Sequence, residues 1–248
     1  MEIERFNFLG LSFHNLTQAQ AIEQLEYFIS RKAPHMIFSP TAELIVRAKK
    51  DSQLREIYNH SDLLTVDGFV VYYTARLFSK PVREPVSTVR LMFGLLGVAQ
   101  KKGYRVYLLG AKEEVVNKAA ENIKSKYPGI NIVGWHNGYF DFDKDEKILK
   151  DIRDSAADVL FVAMSSPLKE DFIFRNLKKM NVPVCMGVGG SFDIIAGKTR
   201  LAPLWISRMG LEWFYRLIQE PGRLFKRYLV TNSAFLWLVL KNLLKKEK

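Results

Sequence analysis

A chain of 248 residues, 48% of them hydrophobic and 25% charged, can bury a sizeable core, and its length fits one large α/β domain with or without an appendage. The formal net charge of +11 is uneven: Arg200 to Lys248 hold ten Lys/Arg against three Glu, which points to a polyanionic partner such as nucleic acid, an anionic membrane face or a phosphorylated substrate. Cys185 is the only cysteine, which excludes an internal disulfide and agrees with a reducing cytoplasm.

Along the chain, "MEIERFNFLGLSF" lacks the layout of a signal peptide, and "FNFLGLSF" reads as a first strand. "LTQAQAIEQLEYFIS" reads as a helix that Thr17 caps, and "HMIFSP" as a short strand stopping at Pro40. One helix, "AELIVRAKKDSQLREIYNHS", leads to the strand "DLLTVDG", which places Asp67-Gly68 at a strand's carboxyl end. "FVVYYTARLFS" is helical, "KPVREP" breaks the chain, and "LMFGLLGVAQKKG" leads as a helix into the strand "YRVYLLG".

The alternation then becomes regular. Helices "EEVVNKAAENIKSKYPG", "EKILKDIRDSA" and "LKEDFIFRNLKKM" separate the strands "INIVGWHNGYF", "DVLFVAM" and "VPVCMGVGG". Apolar strands at this spacing predict an α/β fold: a Rossmann-like, mostly parallel sheet flanked by helices. Such sheets bind ligands at their strands' carboxyl ends, so "VDG", "LLGA", "VAMSSP" and "VGGSFD" should share one rim. Cys185, in the last apolar run, reads as a buried, inert thiol.

From Pro203 the character changes. The remaining chain is aromatic and basic with no strand signal, giving a core over residues 1–200 and a helical appendage over 201–248. Its most apolar run, "AFLWLVL", is too short to span a bilayer. Arg216, Arg223 and Arg227 recur at spacings of seven and four and could share one helical face despite the Pro221-Gly222 interruption, and Trp213, Phe214, Phe235 and Trp237 stand beside many cations. Two readings follow: a helical hairpin docked on the core, or an interfacial helix on an anionic membrane.

The stretch "VGGSFDIIAGKTRLAP" is the strongest local signal. Gly189 and Gly190 can adopt positive φ and let a ligand approach the backbone, while Ser191 can cap a following helix whose amides face an anion. Neither the dinucleotide pattern G-x-G-x-x-G nor a Walker motif is met, which argues against an NAD oxidoreductase or a P-loop enzyme. His14, His35, His60 and His136 lack metal-ligand spacing, and no metal or cofactor is expected. A nucleic-acid binder would need a reading motif beside the charge, and none is present.

Taken in order, "LTVDG", "VYLLGA", "VGGSFDIIAGKTRLAP" and "GLEWFYRLIQEPGRLFKRY" resemble the WecG/TagA/CpsF glycosyltransferases over almost the whole chain. The resemblance implies a metal-independent, inverting enzyme on the inner face of the cytoplasmic membrane. It would move a sugar, often N-acetylmannosamine or its uronate, from a UDP-sugar donor to a polyprenyl-diphosphate-linked sugar. It assigns the general base to Asp67, although an aspartate before glycine is also a common turn pair. The donor would lie against Thr41, Gly110, Gly189, Gly190, Ser191 and Asp193; Arg83, Arg90, Lys169, Arg216, Arg223 and Arg227 would face the acceptor or a diphosphate.

Three stretches depart from the family's usual wording. "SPTAE" stands for "TPNAE", so Thr41 replaces an asparagine. "EPVSTVRL" stands for "ERVAGxDL", with Pro85 for arginine and Arg90 for aspartate. "SSPLKEDF" stands for "GAPKQExW", with Lys169 for glutamine and Phe172 for tryptophan. A changed sugar pair is one reading; a non-catalytic relative that binds a nucleotide sugar or a partner enzyme is the other. Oligomeric state, a homo-oligomer included, stays open.

Overall fold

The structure is a computed structural model that describes residues 3–141 and 146–246. It opens on an antiparallel hairpin, β1 (Arg5–Phe8) and β2 (Leu11–His14). The sequence reads this stretch as one strand. Leu9 and Gly10 both take positive φ (49° and 85°) and fold it in two without the Asn-Gly or Asp-Gly pair that usually marks such a turn. Helix α1 (Gln18–Arg31) starts on a capping box, in which Thr17 Oγ1 accepts from Gln20 N and Gln20 Oε1 accepts from Thr17 N.

β3 (His35–Phe38) leads to α2 (Ala42–Lys50) and α3 (Ser52–Asn59), two helices where the sequence suggests one. The break lies at Asp51, whose extended backbone ends α2 and whose Oδ1 accepts from Leu54 N at 2.9 Å to cap α3. β4 (Leu63–Leu64), α4 (Phe69–Leu77), α5 (Thr88–Lys102), β5 (Arg105–Gly110), α6 (Glu113–Lys126) and β6 (Asn131–His136) follow. Then come α7 (Glu146–Asp154), β7 (Val159–Ala163), α8 (Leu168–Met180), β8 (Val184–Gly187) and the single turn α9 (Ser191–Ile195). The chain finishes on α10 (Leu204–Arg208), α11 (Glu212–Gln219) and α12 (Pro221–Lys246).

Six strands form one all-parallel sheet in the order β4-β3-β8-β7-β5-β6. β7 and β8 are buried along their whole length, which is why their sequences are continuous apolar runs rather than alternating ones. One face packs against α1, α5, α6 and α9 through Leu25, Leu95, Val116 and Phe192. The other packs against the hairpin, α2, α3, α7 and α8 through Phe8, Phe13, Ile45, Ile57, Ile152 and Ile173. Cys185 lies in this second layer, and burial pushes its thiol well above the usual range.

The C-terminal helices belong to the fold. Phe235 and Val239 of α12 join the second core layer, and Leu224 is buried as well. The Arg227 guanidinium reaches Glu43 of α2 at 3.1 Å. Pro221 is the first residue of α12, where a missing N–H costs nothing, so it starts the helix instead of interrupting it. Phe235, read from the sequence as an interfacial aromatic, is instead only 3% exposed.

Candidate active site

β4 ends at Leu64 and the chain runs through Thr65 and Val66 to Asp67. Thr65 is buried and its hydroxyl lies 2.6 Å from that of Ser39, at the end of neighbouring β3, so the two strand ends are pinned together. Val86 N donates to Val66 O at 2.8 Å and brings the start of α5 alongside. Thr88 then donates to Asp67 Oδ2 from its hydroxyl at 2.9 Å, and its backbone N–H bonds the same carboxylate. Asp67 thus sits at the amino end of a fifteen-residue helix, a position that favours a negative charge.

Burial opposes that preference and wins. Desolvation first, then the charge of Glu212 on α11, raise the Asp67 carboxyl; the Thr88 hydrogen bonds and Arg216 lower it. The balance leaves it at about 7, while part of the side chain still meets solvent. A carboxyl so placed can take or give a proton near neutrality. The same balance shows that α11 arches close enough to β4 for two of its side chains to act on Asp67.

The strand order decides which expected residues come together. β8 is two strands from β4, so the Val188–Ser191 loop lies roughly 10 Å across the rim from Asp67 at the usual strand spacing. Gly189 has φ +51°, and a side chain at Gly189 or Gly190 would meet open space, apart from the Asp193 carboxylate 3.9 Å from Gly190. The loop therefore presents bare backbone. Ser191 does not cap α9: Gly190 holds that position, and the Ser191 hydroxyl donates to Val188 O at 2.7 Å. Asp193 braces the following turn, its carbonyl accepting from Lys198 N and Thr199 N.

Thr41 is exposed at the amino end of α2, after β3, between Asp67 and the glycine loop. Gly110 lies farther off, at the end of β5, four strand positions from β4. A side chain there would stand 2.4 Å from Ala163 O, so its glycine serves strand packing.

The expected cations are dispersed. Arg83 is held by Gln20 at 3.2 Å, beside α1. Arg90 lies two residues beyond Thr88 in α5, a spacing that puts them on different sides of the helix. Lys169 is buried and paired with Glu170 at 2.5 Å. Glu170, 1% exposed, also accepts from the Tyr58 hydroxyl at 2.8 Å and from Ser166 Oγ at 2.9 Å. Arg227 is engaged by Glu43. Arg216 acts on Asp67 and hydrogen-bonds Tyr228, whose hydroxyl burial raises. The Arg223 side chain lies outside the described residues. Among those described, no group of three His, Cys, Asp or Glu is arranged to hold a metal ion.

Sequence reasoning missed Thr88, Glu212 and the Glu170 network. The signal for Glu170 was present: in "SSPLKEDF" it keeps the acid of "GAPKQExW" while its neighbours change. Thr88 stands where "ERVAGxDL" has glycine, so one of the departures supplies a donor to Asp67.

A parallel sheet that gathers a bare glycine loop and a carboxyl raised to about 7 on one rim suits group transfer. The comparisons make this specific. Residues 6–248 match the Glycosyl transferase WecG/TagA/CpsF family, and the chain belongs to that family of glycosyltransferases. The N-acetylglucosaminyldiphosphoundecaprenol N-acetyl-beta-D-mannosaminyltransferase of Bacillus subtilis (strain 168) is 34% identical over 216 residues, 86% of this chain and 83% of the relative. The protein of the same name from Staphylococcus aureus (strain MW2) is 30% identical over 222 residues, 89% of this chain and 87% of its own.

Proposed function

We propose that this glycosyltransferase moves N-acetylmannosamine, or a closely related sugar, from a UDP-sugar to a polyprenyl-diphosphate-linked N-acetylglucosamine during cell-surface polymer synthesis. The relatives' names carry the acceptor class. The observation that carries the chemistry is the Asp67 carboxyl at the end of β4, held by the Thr88 hydroxyl at 2.9 Å, within reach of Glu212 and Arg216 of α11 and raised by burial. Asp67 removes the proton of the acceptor hydroxyl, the freed oxygen forms the new bond at the anomeric carbon, and the bond to UDP breaks on the opposite face with inversion. The donor diphosphate lies towards the open Gly189-Gly190 backbone, and Arg216 offsets the charge that develops as UDP leaves.

The acceptor's lipid places the reaction at a membrane, and the C-terminal segment, 201–248, is the docking element. No helix among the described residues is long and apolar enough to cross a bilayer. On α12, Phe225, Leu229, Leu236, Trp237, Leu240 and Leu244 are exposed on the side away from Phe235 and Val239, next to Lys226 and Lys241. Trp205, Met209 and Ile218 extend the apolar surface over α10 and α11. An apolar stripe edged by cations suits the headgroup boundary of the anionic inner leaflet.

The deciding experiment measures UDP release and product anomeric configuration with UDP-N-acetylmannosamine and a lipid-linked N-acetylglucosamine diphosphate. Turnover with inversion is expected. UDP-sugar binding without turnover on any lipid-linked acceptor would leave only a binding protein.

A further inference from the structure

The end of the sheet opposite Asp67 carries a cavity. It has a volume of about 730 Å³ and is lined by Arg5, His14, Gln24, Phe28, His35 and Asp62, with Glu4 at its edge. That volume is within the range of small-molecule sites. His35 is the first residue of β3 and Asp62 immediately precedes β4, so the cavity lies at the strands' amino ends. None of its residues belongs to the rim described above.

Its polar groups are fixed and aimed. Gln24, in α1, is only 7% exposed and lines the cavity, where its side-chain amide can both donate and accept. His14 is equally buried, and its Nδ1 accepts from Leu64 N at 3.0 Å. An imidazolium has no acceptor, so this ring is neutral and its proton is on Nε2, a donor. Burial, with Arg5 nearby, lowers its pKa to about 4, in agreement with that assignment. The His35 Nδ1 lies 3.1 Å from Pro183 O and donates there, which leaves Nε2 for the cavity. Asp62 is clamped by Met36 N at 2.8 Å through one oxygen. Phe28 and His35 stack at 3.9 Å with 13° between their planes, which supplies a flat wall.

We infer that this cavity is a second ligand site, for an uncharged, hydroxyl-rich molecule the size of a sugar ring. Alternating donors and acceptors, with Gln24 offering both, match hydroxyl groups, which also do both. The flat wall matches the C–H face of a pyranose. Two carboxylates, Glu4 and Asp62, against one guanidinium, Arg5, disfavour phosphates and uronates. The site thus differs in kind from the rim at Asp67, where an anionic donor is expected.

The chain has four histidines, so the imidazole Cε1–Hε1 spectrum of ¹³C-histidine-labelled protein is directly readable. N-acetylglucosamine and N-acetylmannosamine are titrated with saturating UDP present, to keep the other rim occupied. The His14 and His35 signals should move with a millimolar midpoint while His60 and His136 stay in place. Gln24→Met, which keeps the buried volume, should weaken the midpoint about tenfold or more, roughly the loss of one hydrogen bond to a buried amide. His35→Ala should abolish the His14 shift, with unmoved His60 and His136 signals reporting an intact fold. Immobile His14 and His35 signals, undiminished binding in both variants, or equal binding of glucuronate would each overturn the inference.

Discussion

The Thr88 hydroxyl stands 2.9 Å from Asp67 Oδ2, so the residue that opens α5 also holds the carboxyl at the end of β4. This bond joins two segments twenty-one residues apart and stabilises the charged form of Asp67 against the burial that disfavours it. Replacing Thr88 with valine keeps the shape and removes the donor. The acid limb of the kcat/KM–pH profile should then move up by about half to one pH unit, the scale of one hydrogen bond to a charged group. An unmoved limb would show that the bond does not govern the ionisation.

Asp67→Asn should lower turnover by at least about a hundredfold while leaving UDP affinity nearly unchanged, because the proposed role sets this carboxyl against the acceptor. Calorimetry with UDP beside a UDP-release assay separates the two effects. Wild-type turnover should itself rise with pH through about 7, as the carboxyl ionises.

The same substitution should stabilise the fold. In the unfolded chain the carboxyl returns to its ordinary value of 3.8, so between there and about 7 the folded chain holds a proton that the unfolded chain has lost. Stability from this group falls as pH rises through that window and is level above it. Asp67→Asn removes the penalty, by on the order of 2 kcal/mol at pH 8 after allowing for the solvent that still reaches the side chain, and by little near pH 4. His14, lowered to about 4 from 6.5, works in the opposite direction over most of that window. The difference between variant and wild type in urea unfolding isolates Asp67.

Trp237→Glu together with Leu240→Glu should weaken flotation with anionic vesicles without unfolding the protein, since both side chains are exposed, at 62% and 58%. Binding of the unmodified chain should weaken with salt but persist, because apolar burial is not screened. Truncation near Pro203 is a poorer probe than the sequence suggests. It strips Leu224, Phe235 and Val239 from the interior and should lower the melting temperature of what remains.

Glu43→Ala and Arg227→Ala should couple by about 0.5 kcal/mol in a double-mutant cycle, since this ion pair is partly solvated. A coupling near zero would show that apolar contacts alone hold α12 on α2.

Much of the core was legible because β5, β7 and β8 are buried on both faces and leave unbroken apolar runs. The hairpin was not legible: Leu9 takes a left-handed conformation that its side chain does not advertise. Asp51 hid the break between α2 and α3, since an aspartate inside a helical pattern and one capping the next helix look alike. α12 has apolar residues on two sides, and periodicity does not say which side finds the core. Phe235 and Trp237, two residues apart, therefore went to opposite fates. The actions of Thr88, Glu212 and Arg216 on Asp67 depend on long-range folding that no local pattern encodes.

Cys185 is sealed within β8 with a thiol that scarcely ionises, so the native chain is silent towards maleimides and other thiol-directed labels. An introduced cysteine would therefore be the sole reactive thiol. Leu240→Cys on the outer side of α12 and Gly190→Cys on the glycine loop would carry a spin label or fluorophore without first deleting a native residue. The same chain can thus test, by one chemistry and one position at a time, whether α12 enters a bilayer and whether a donor reaches the loop.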